Sequence, residues 1–320
     1  MKIKIREEIK NIKDEIYAIR RHFHRYPELS FKEFNTAETI SQHLDKFGIA
    51  HKKGVGKTGI VGEINFGPGP IIALRADMDA LPIQEENNLD YKSLNDGVMH
   101  ACGHDGHMAI LLGAANALSK NSKLKKGTVR FIFQPAEEGL GGAKYMIEDG
   151  CLDKVDEIYG LHLWNYQLYG EVGIKDGPVM ASADLFDIEV SGKGGHGATP
   201  QGTVDAIVVA SNLVIMLQTI VSRNTNPLES TVLSIGKIKG GHNFNIISDK
   251  VHMSGTTRAY TEENRTMIKQ RMKEVIEGVS KSFGADIKLN YKDGYPPTVN
   301  HSSQVEKVLE AASSVVASGA

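Results

Sequence analysis

Cysteine is nearly missing from this chain: Cys102 and Cys151 are the only two among 320 residues. Two cysteines build no disulfide framework, which excludes a small stapled secreted scaffold and fits a reducing cytosol. An excess of charge is missing too. Lys and Arg number 37 against 39 Asp and Glu, a formal net charge of -2, so there is no broad electrostatic case for nucleic acid or an anionic membrane surface. Short basic runs such as Lys123 to Gly127 read as solvated loops. The opening segment, "MKIKIREEIKNIKDEIYAIRRHFH", lacks the apolar core of a signal peptide. No run approaches the roughly 18 apolar residues of a membrane span. Repeats and low-complexity tracts are also wanting. These absences predict a soluble, cytoplasmic protein. Its length suits one large domain or two moderate ones.

What is present is an alternation of strands and helices. Ile5, Ile9, Ile12, Ile16 and Ile19 step by four and three, which predicts an amphipathic helix ending before Pro27. A second helix is predicted over Phe34 to Phe47. "TGIVGEINF" and "PIIALRAD" read as strands parted by "GPG", "HMAILLGAANALSK" as a buried helix, and "GTVRFIF" and "VDEIYGLHLW" as further strands. This predicts an α/β layer with a largely parallel or mixed sheet. From Ala181 the texture changes. The segments "ADLFDIEVSGKG", "TVDAIVVASNLVIMLQTIVSR", "STVLSIGKIKG", "DKVHMSGTTRAY", "TEENRTMIKQRMKEVIEGVSKSFG" and "ADIKLNYKDG" run β-α-β-β-α-β, the order of a ferredoxin-like unit. The predicted architecture is a mixed-sheet domain made of residues 1–180 and 297–320, with a ferredoxin-like α+β domain, 181–296, inserted between them. A last helix, "SSQVEKVLEAASSVVA", returns to the first domain.

The unusual stretch is "MHACGHDGHMA", Met99 to Ala109. Histidine and cysteine at this density point to a metal, to thiol chemistry, or to a histidine-rich helix. Its surroundings favour the metal. "RADMD" follows the strand "IIAL", "QPAEE" follows "VRFIF", and "LHLW" follows "EIYG". Ligands gather outside the carboxyl ends of strands in open α/β sheets. The inventory is Asp77, Asp79, Cys102, His104, Asp105, His107, Glu137, Glu138 and His162. Cysteine, histidine and glutamate are first-row transition-metal ligands. Gly103 allows a tight turn between Cys102 and His104. His107 is a ligand, a support for one, or a helix-start side chain. His162 is a ligand or a hydrogen-bonded core histidine. Two adjacent carboxylates at a strand end are costly to desolvate without a nearby cation. Glu137 and Glu138 can divide the work, one holding metal while the other takes a proton from water that the metal has acidified. The expected chemistry is metal-assisted hydrolysis of an amide or ester. A thiol enzyme built on Cys102 and His104 would leave both glutamates without a task.

The segments "RRHFHRYPELSFKE", "LRADMDALPIQE", "MHACGHDGHM", "FQPAEEGLGGAKYMIEDG", "GLHLW" and "GKGGHGATP" resemble the aminoacylase–carboxypeptidase family of co-catalytic metallohydrolases. The resemblance is nearest to the branch of hippurate hydrolase, plant indole-acetyl-amino-acid hydrolases and bacterial N-acyl-amino-acid amidohydrolases. It runs from about Ile16 to about Tyr260. It implies Cys102, His104, Glu138 and His162 as metal ligands, Glu137 as general base, and Asp79 as an aspartate that orients a ligand. It implies two divalent ions, Mn2+ or Zn2+ with Co2+ or Ni2+ as further options, and an N-acyl amino acid as the small-molecule substrate. It makes the inserted domain a lid and a homodimerisation surface. His196 there matches a histidine that polarises the scissile carbonyl. Asn245 and Arg258 match positions that hold the substrate's carbonyl or carboxylate.

The chain departs from that family pattern in places. Gln201 stands where many relatives have histidine, and Ser248 where proline is usual. Relatives continue through a later motif and a late histidine that binds the second metal. Here His301 is the last histidine and the sequence stops at Ala320. The pattern therefore implies a first domain lacking its C-terminal part. It also offers an alternative, a weakly active or inactive homologue acting as a metal- or ligand-binding protein.

Overall fold

The helices and strands alternate first, and strands dominate later. The computed structural model describes residues 3–121, 123–139 and 141–316. In chain order they form α1 (Glu7–Lys10), α2 (Lys13–Arg25), α3 (Phe34–Lys46), β1 (Ala50–Val55), β2 (Gly59–Asn65) and β3 (Ile71–Asp77). There follow α4 (His104–Ser119), β4 (Thr128–Gln134), α5 (Gly142–Glu148) and β5 (Glu157–Gly160). The remainder is β6 (Gly177–Met180), β7 (Ala183–Ser191), β8 (Gly195–His196), α6 (Ala206–Asn224), β9 (Thr231–Gly240), β10 (Ile246–Ile247), β11 (Lys250–Ala259), α7 (Glu262–Phe283), β12 (Asp286–Tyr295), β13 (Thr298–Asn300) and α8 (Ser302–Ser313).

The chain divides into two units. One runs to Gly173 and resumes at Leu309; the other spans Ile174–Val308. The second unit is wider than the expected 181–296 segment. The reason is that β6 and β13, which flank that segment, pair with each other, Thr298 opposite Met180.

The first unit carries a mixed five-stranded sheet in the order β1-β2-β4-β3-β5. β1, β2 and β4 are linked antiparallel, whereas β3 runs parallel to both β4 and β5. The carboxyl ends of β3, β4 and β5 therefore open on one edge. α4 is buried nearly all round, which is why its sequence shows no polar stripe. It packs with Phe23, Ile40, Leu44, Phe131 and Phe133 in the core of this unit.

Three local readings need correction. The isoleucine helix is broken at Asn11–Ile12 into α1 and α2. β1 escaped prediction because "AHKKGV" is mostly polar and exposed. The strand over "VDEIYGLHLW" ends at Gly160, so His162 lies on a loop and is exposed, not a core histidine.

The second unit has the antiparallel sheet β12-β7-β11-β9, with α6 and α7 against it. With β-α-β-β-α-β connectivity this is a ferredoxin-like unit. Contrary to the sequence reading, α6 is long and apolar enough to span a membrane by composition. Its spacing gives another account. Ala206, Val209, Ala210, Leu213, Leu217 and Ile220 recur every three or four residues and are buried in this unit's core. Asp205 caps the helix by accepting from the amides of Ile207 and Val208.

Candidate metal centre

The edge where β3, β4 and β5 end is where the chemistry gathers. β3 delivers Asp77 and, two residues on, Asp79; β4 leads into Glu137 and Glu138; β5 leads into His162. The start of α4 brings Cys102 and His104. Gly103, at φ +86, makes the turn between them in a region that side chains with a Cβ avoid. Gly106 is set by packing: a Cβ there would meet the Leu163 side chain at 2.4 Å. The neighbour of His162 therefore lies over the first turn of α4.

His104 is fully buried. Its Nδ1 donates to the Asp79 carbonyl oxygen at 2.7 Å, which turns Nε2 toward the site. Among the described residues, that Nε2 and Glu138 Oε1 are buried without a hydrogen-bond partner, and they lie 3.8 Å apart. On the other side, Cys102 Sγ is 3.4 Å from His162 Nε2, while His162 Nδ1 is turned to the Leu163 carbonyl oxygen at 2.6 Å. Among the described residues, three donor groups meet the spacing for an ion: Cys102–His104–His162, His104–Glu137–Glu138 and Asp77–His104–His107.

His107 is committed elsewhere. Its Nδ1 donates to Asp77 Oδ1 at 2.6 Å, and its Nε2 accepts from the Leu163 amide at 2.8 Å. It holds the His162 loop. Both its ring nitrogens are occupied, so its donor group is the weakest of the three.

These residues fit a divalent transition metal. Ligands at about 2.0–2.3 Å from one ion sit about 3–4 Å from each other, the separation seen between the thiol, imidazole and carboxylate donors. Orphaned buried polar atoms that face each other call for a shared partner. The field agrees. Burial alone would lower the His104 pKa, yet Asp79 and Cys102 beside it, with the charge of Asp77, raise it to about 11. The pocket favours a positive charge at His104, which a metal cation supplies.

Asp79 ties the parts together. Its backbone oxygen holds His104, and its buried carboxylate accepts from the Glu137 amide at 2.9 Å, the Glu138 amide at 3.0 Å and the Ser30 hydroxyl at 2.6 Å. Asp77, kept ionised despite burial by His107 and Arg75, lies 3.6 Å from His104 Nε2. Burial raises the Glu137 pKa, with the charges of Glu138 and Asp77 adding to it. Beneath the site, buried His24 bridges Asp105 at 2.9 Å and Glu85 at 3.1 Å. Sequence reading gave no role to Arg75, Ser30, Glu33, His24 or Glu85. The only available signal was their place in the quoted segments.

The remaining candidates lie in the second unit. His196, on β8, is paired with Ile246 of β10, and the Gly197 amide donates to the Asn245 carbonyl oxygen at 2.8 Å. His196, His242, Asn245 and Asp249 line a cleft of about 500 Å³. Arg258, on β11, is not part of that lining. It donates to Thr256 Oγ1 and to the Thr257 carbonyl oxygen, and among the described residues it forms no ion pair.

Comparison with known proteins agrees with this geometry. Peptidase family M20/M25/M40 matches residues 73–320. The chain is 46% identical over 305 residues to the N-acetyl-L-cysteine deacetylase of Bacillus subtilis, covering 95% of this chain and 73% of that protein. It is 44% identical over 302 residues to the N-acyl-L-amino acid amidohydrolase of Geobacillus stearothermophilus, covering 92% and 82%. The fold superposes with TM-score 0.83 on the crystal structure of the Bacillus subtilis YXEP protein, a dinuclear metal-binding peptidase, at 37% identity over 95% of this chain and 80% of that one. With most of its length matched, the chain belongs to peptidase family M20/M25/M40.

Proposed function

We propose that the protein hydrolyses the amide bond of N-acyl amino acids, with water as nucleophile and Glu137 as general base. The observation that carries this reading is the pair Glu137–Glu138 beside the open Nε2 of His104. One carboxylate of the pair is directed at a buried donor, and the other has a raised pKa and is free to move a proton. Relatives named for N-acetyl-L-cysteine and N-acyl-L-amino acids support the substrate class.

Cys102, His104, Glu138 and His162 would hold the metal, and the bound metal supplies Lewis acidity toward water and the scissile carbonyl. The two-ion centre of the YXEP structure favours two sites, and the mixed donor set is compatible with Mn2+ or Zn2+. Glu137 Oε takes the proton of the attacking water and passes it to the leaving nitrogen, a carboxylate task helped by the rise that burial gives its pKa. Asp79 and His107 keep the base and the ligand loops in place. His196 and Asn245 bring donors suited to a carbonyl to the cleft of the second unit.

The test is a panel of N-acetyl and N-benzoyl amino acids, assayed on chelated protein and after re-addition of Mn2+ or Zn2+. Release of free amino acid only with metal supports the reading. Equal turnover after chelation rejects it.

A further inference from the structure

We infer that Glu33, with Ser30 acting through Asp79, is a positioning residue for the Glu137–Glu138 pair. Three consecutive backbone amides, those of Ala136, Glu137 and Glu138, are each accepted by a buried carboxylate. The Ala136 amide donates to Glu33 Oε1 at 2.9 Å, the Glu137 amide to Asp79 Oδ1 at 2.9 Å, and the Glu138 amide to Asp79 Oδ2 at 3.0 Å. Glu33 is fully buried and Asp79 nearly so.

The turn needs this hold. Ala136 has φ +50, a left-handed conformation that a residue with a Cβ adopts at a cost, and such a conformation persists where its surroundings over-determine it. Glu33 meets that condition from 103 residues away in the chain. It is itself held: the Thr58 hydroxyl donates to its Oε2 at 2.6 Å. Ser30, three residues earlier, donates to Asp79 Oδ2 at 2.6 Å. The chain just before Ser30 is pinned beside Asp79, since the Ala80 amide donates to the Glu28 carbonyl oxygen at 2.8 Å. The segment "PELSFKE" thus reaches the catalytic carboxylates through hydrogen bonds alone, with no donor atom of its own in the candidate metal groups.

The consequence for chemistry rests on the proposed function. A base and a ligand one residue apart must point to different places, and the peptide planes of Ala136–Glu138 set those directions. Partners that orient such groups typically affect metal affinity or activity by about 10–100-fold when removed.

The test uses the full chain with Glu33→Met, Glu33→Gln and Ser30→Ala. Met fills the space but accepts nothing. Gln can accept from the Ala136 amide through its oxygen and donate to Thr58 through its nitrogen. Amide exchange of the segment 131–139 is measured on metal-free protein, and kcat and KM on metal-loaded protein. Faster exchange in Glu33→Met, with kcat down about 10–100-fold at little-changed KM and both restored in Glu33→Gln, supports the inference. Wild-type exchange and kcat in Glu33→Met overturn it. If Glu33→Met does not fold, Ser30→Ala decides: kcat lowered at constant KM supports the inference, and unchanged kcat and exchange overturn it. Exchange is read without metal or substrate, so failure of the amide-hydrolysis reading would appear separately, as an inactive wild type.

Discussion

One imidazole explains why the site is built as it is. His104 gives its Nδ1 proton to a backbone oxygen and so presents Nε2 to the pocket; a free imidazole would choose neither orientation. His107 does the same for a loop, taking Asp77 on one side and the Leu163 amide on the other. Replacing His107 with Ala should therefore release the His162 loop while leaving the proposed ligands Cys102, His104, Glu138 and His162 in place. Metal affinity is expected to fall about 10–100-fold, read by competition with a chromophoric chelator. Affinity equal to that of the wild type would mean that the loop holds itself. At this scale the sequence was informative where residue type alone decides: cysteine, histidine and adjacent glutamates at strand ends declare a metal. It was silent on Glu33 and His24, because a glutamate or histidine in an N-terminal segment looks the same whether solvated or buried under a site.

Among the elements, the β3, β4 and β5 ends and the α4 N-terminus do the assembling. The strands were legible from their apolar runs, and their shared edge from the α/β pattern. The end of β5 was not, because "GLHLW" continues the apolar character of a strand after the pairing has stopped at Gly160. The turn into α4 was legible through Gly103. Gly103→Ala places a Cβ in the left-handed region, at a cost of about 1–2 kcal/mol. A lowered thermal midpoint is expected, with weaker metal binding, since Cys102 and His104 flank the turn. An unchanged midpoint would contradict the assigned turn. The α6 helix shows the opposite case: its composition suggests a membrane, and only the three-and-four spacing of its buried residues identifies a core helix.

For the whole molecule, each unit has its own core and its own stabilising polar centre. In the second unit that centre is Asp184, fully buried. It accepts from Arg265 at 2.6 and 2.8 Å, the Gly294 amide at 2.7 Å and the Tyr291 hydroxyl at 3.1 Å. Burial opposes its charge, but Arg265 and these donors outweigh burial and hold it below the usual carboxylate range. A depressed carboxylate stabilises fully above its unfolded value of about 3.9, and that contribution is lost as pH falls further toward the folded value. Acid should thus lower the denaturation midpoint below about pH 4. Asp184→Ala should cost about 1.5–3 kcal/mol at neutral pH, because it removes the charged acceptor of Arg265, Tyr291 and the Gly294 amide while Arg265 keeps Glu262, and should blunt the acid dependence. A variant with the same midpoint and the same pH profile would contradict this assignment. The two-unit division was legible from the change in strand texture near Ala181. Its limits were not, because the pairing of β6 with β13 joins short segments that carry no pattern of their own.

Amide hydrolysis at the metal site is proposed to run with Glu137 as base. Glu137→Gln tests it most directly, because the amide keeps the shape and loses the proton-accepting carboxylate. Metal per chain and turnover on N-acetyl amino acids are measured together on the same preparation. Wild-type metal content with turnover reduced by at least about 100-fold is expected. Metal content and turnover both at wild-type levels would contradict it.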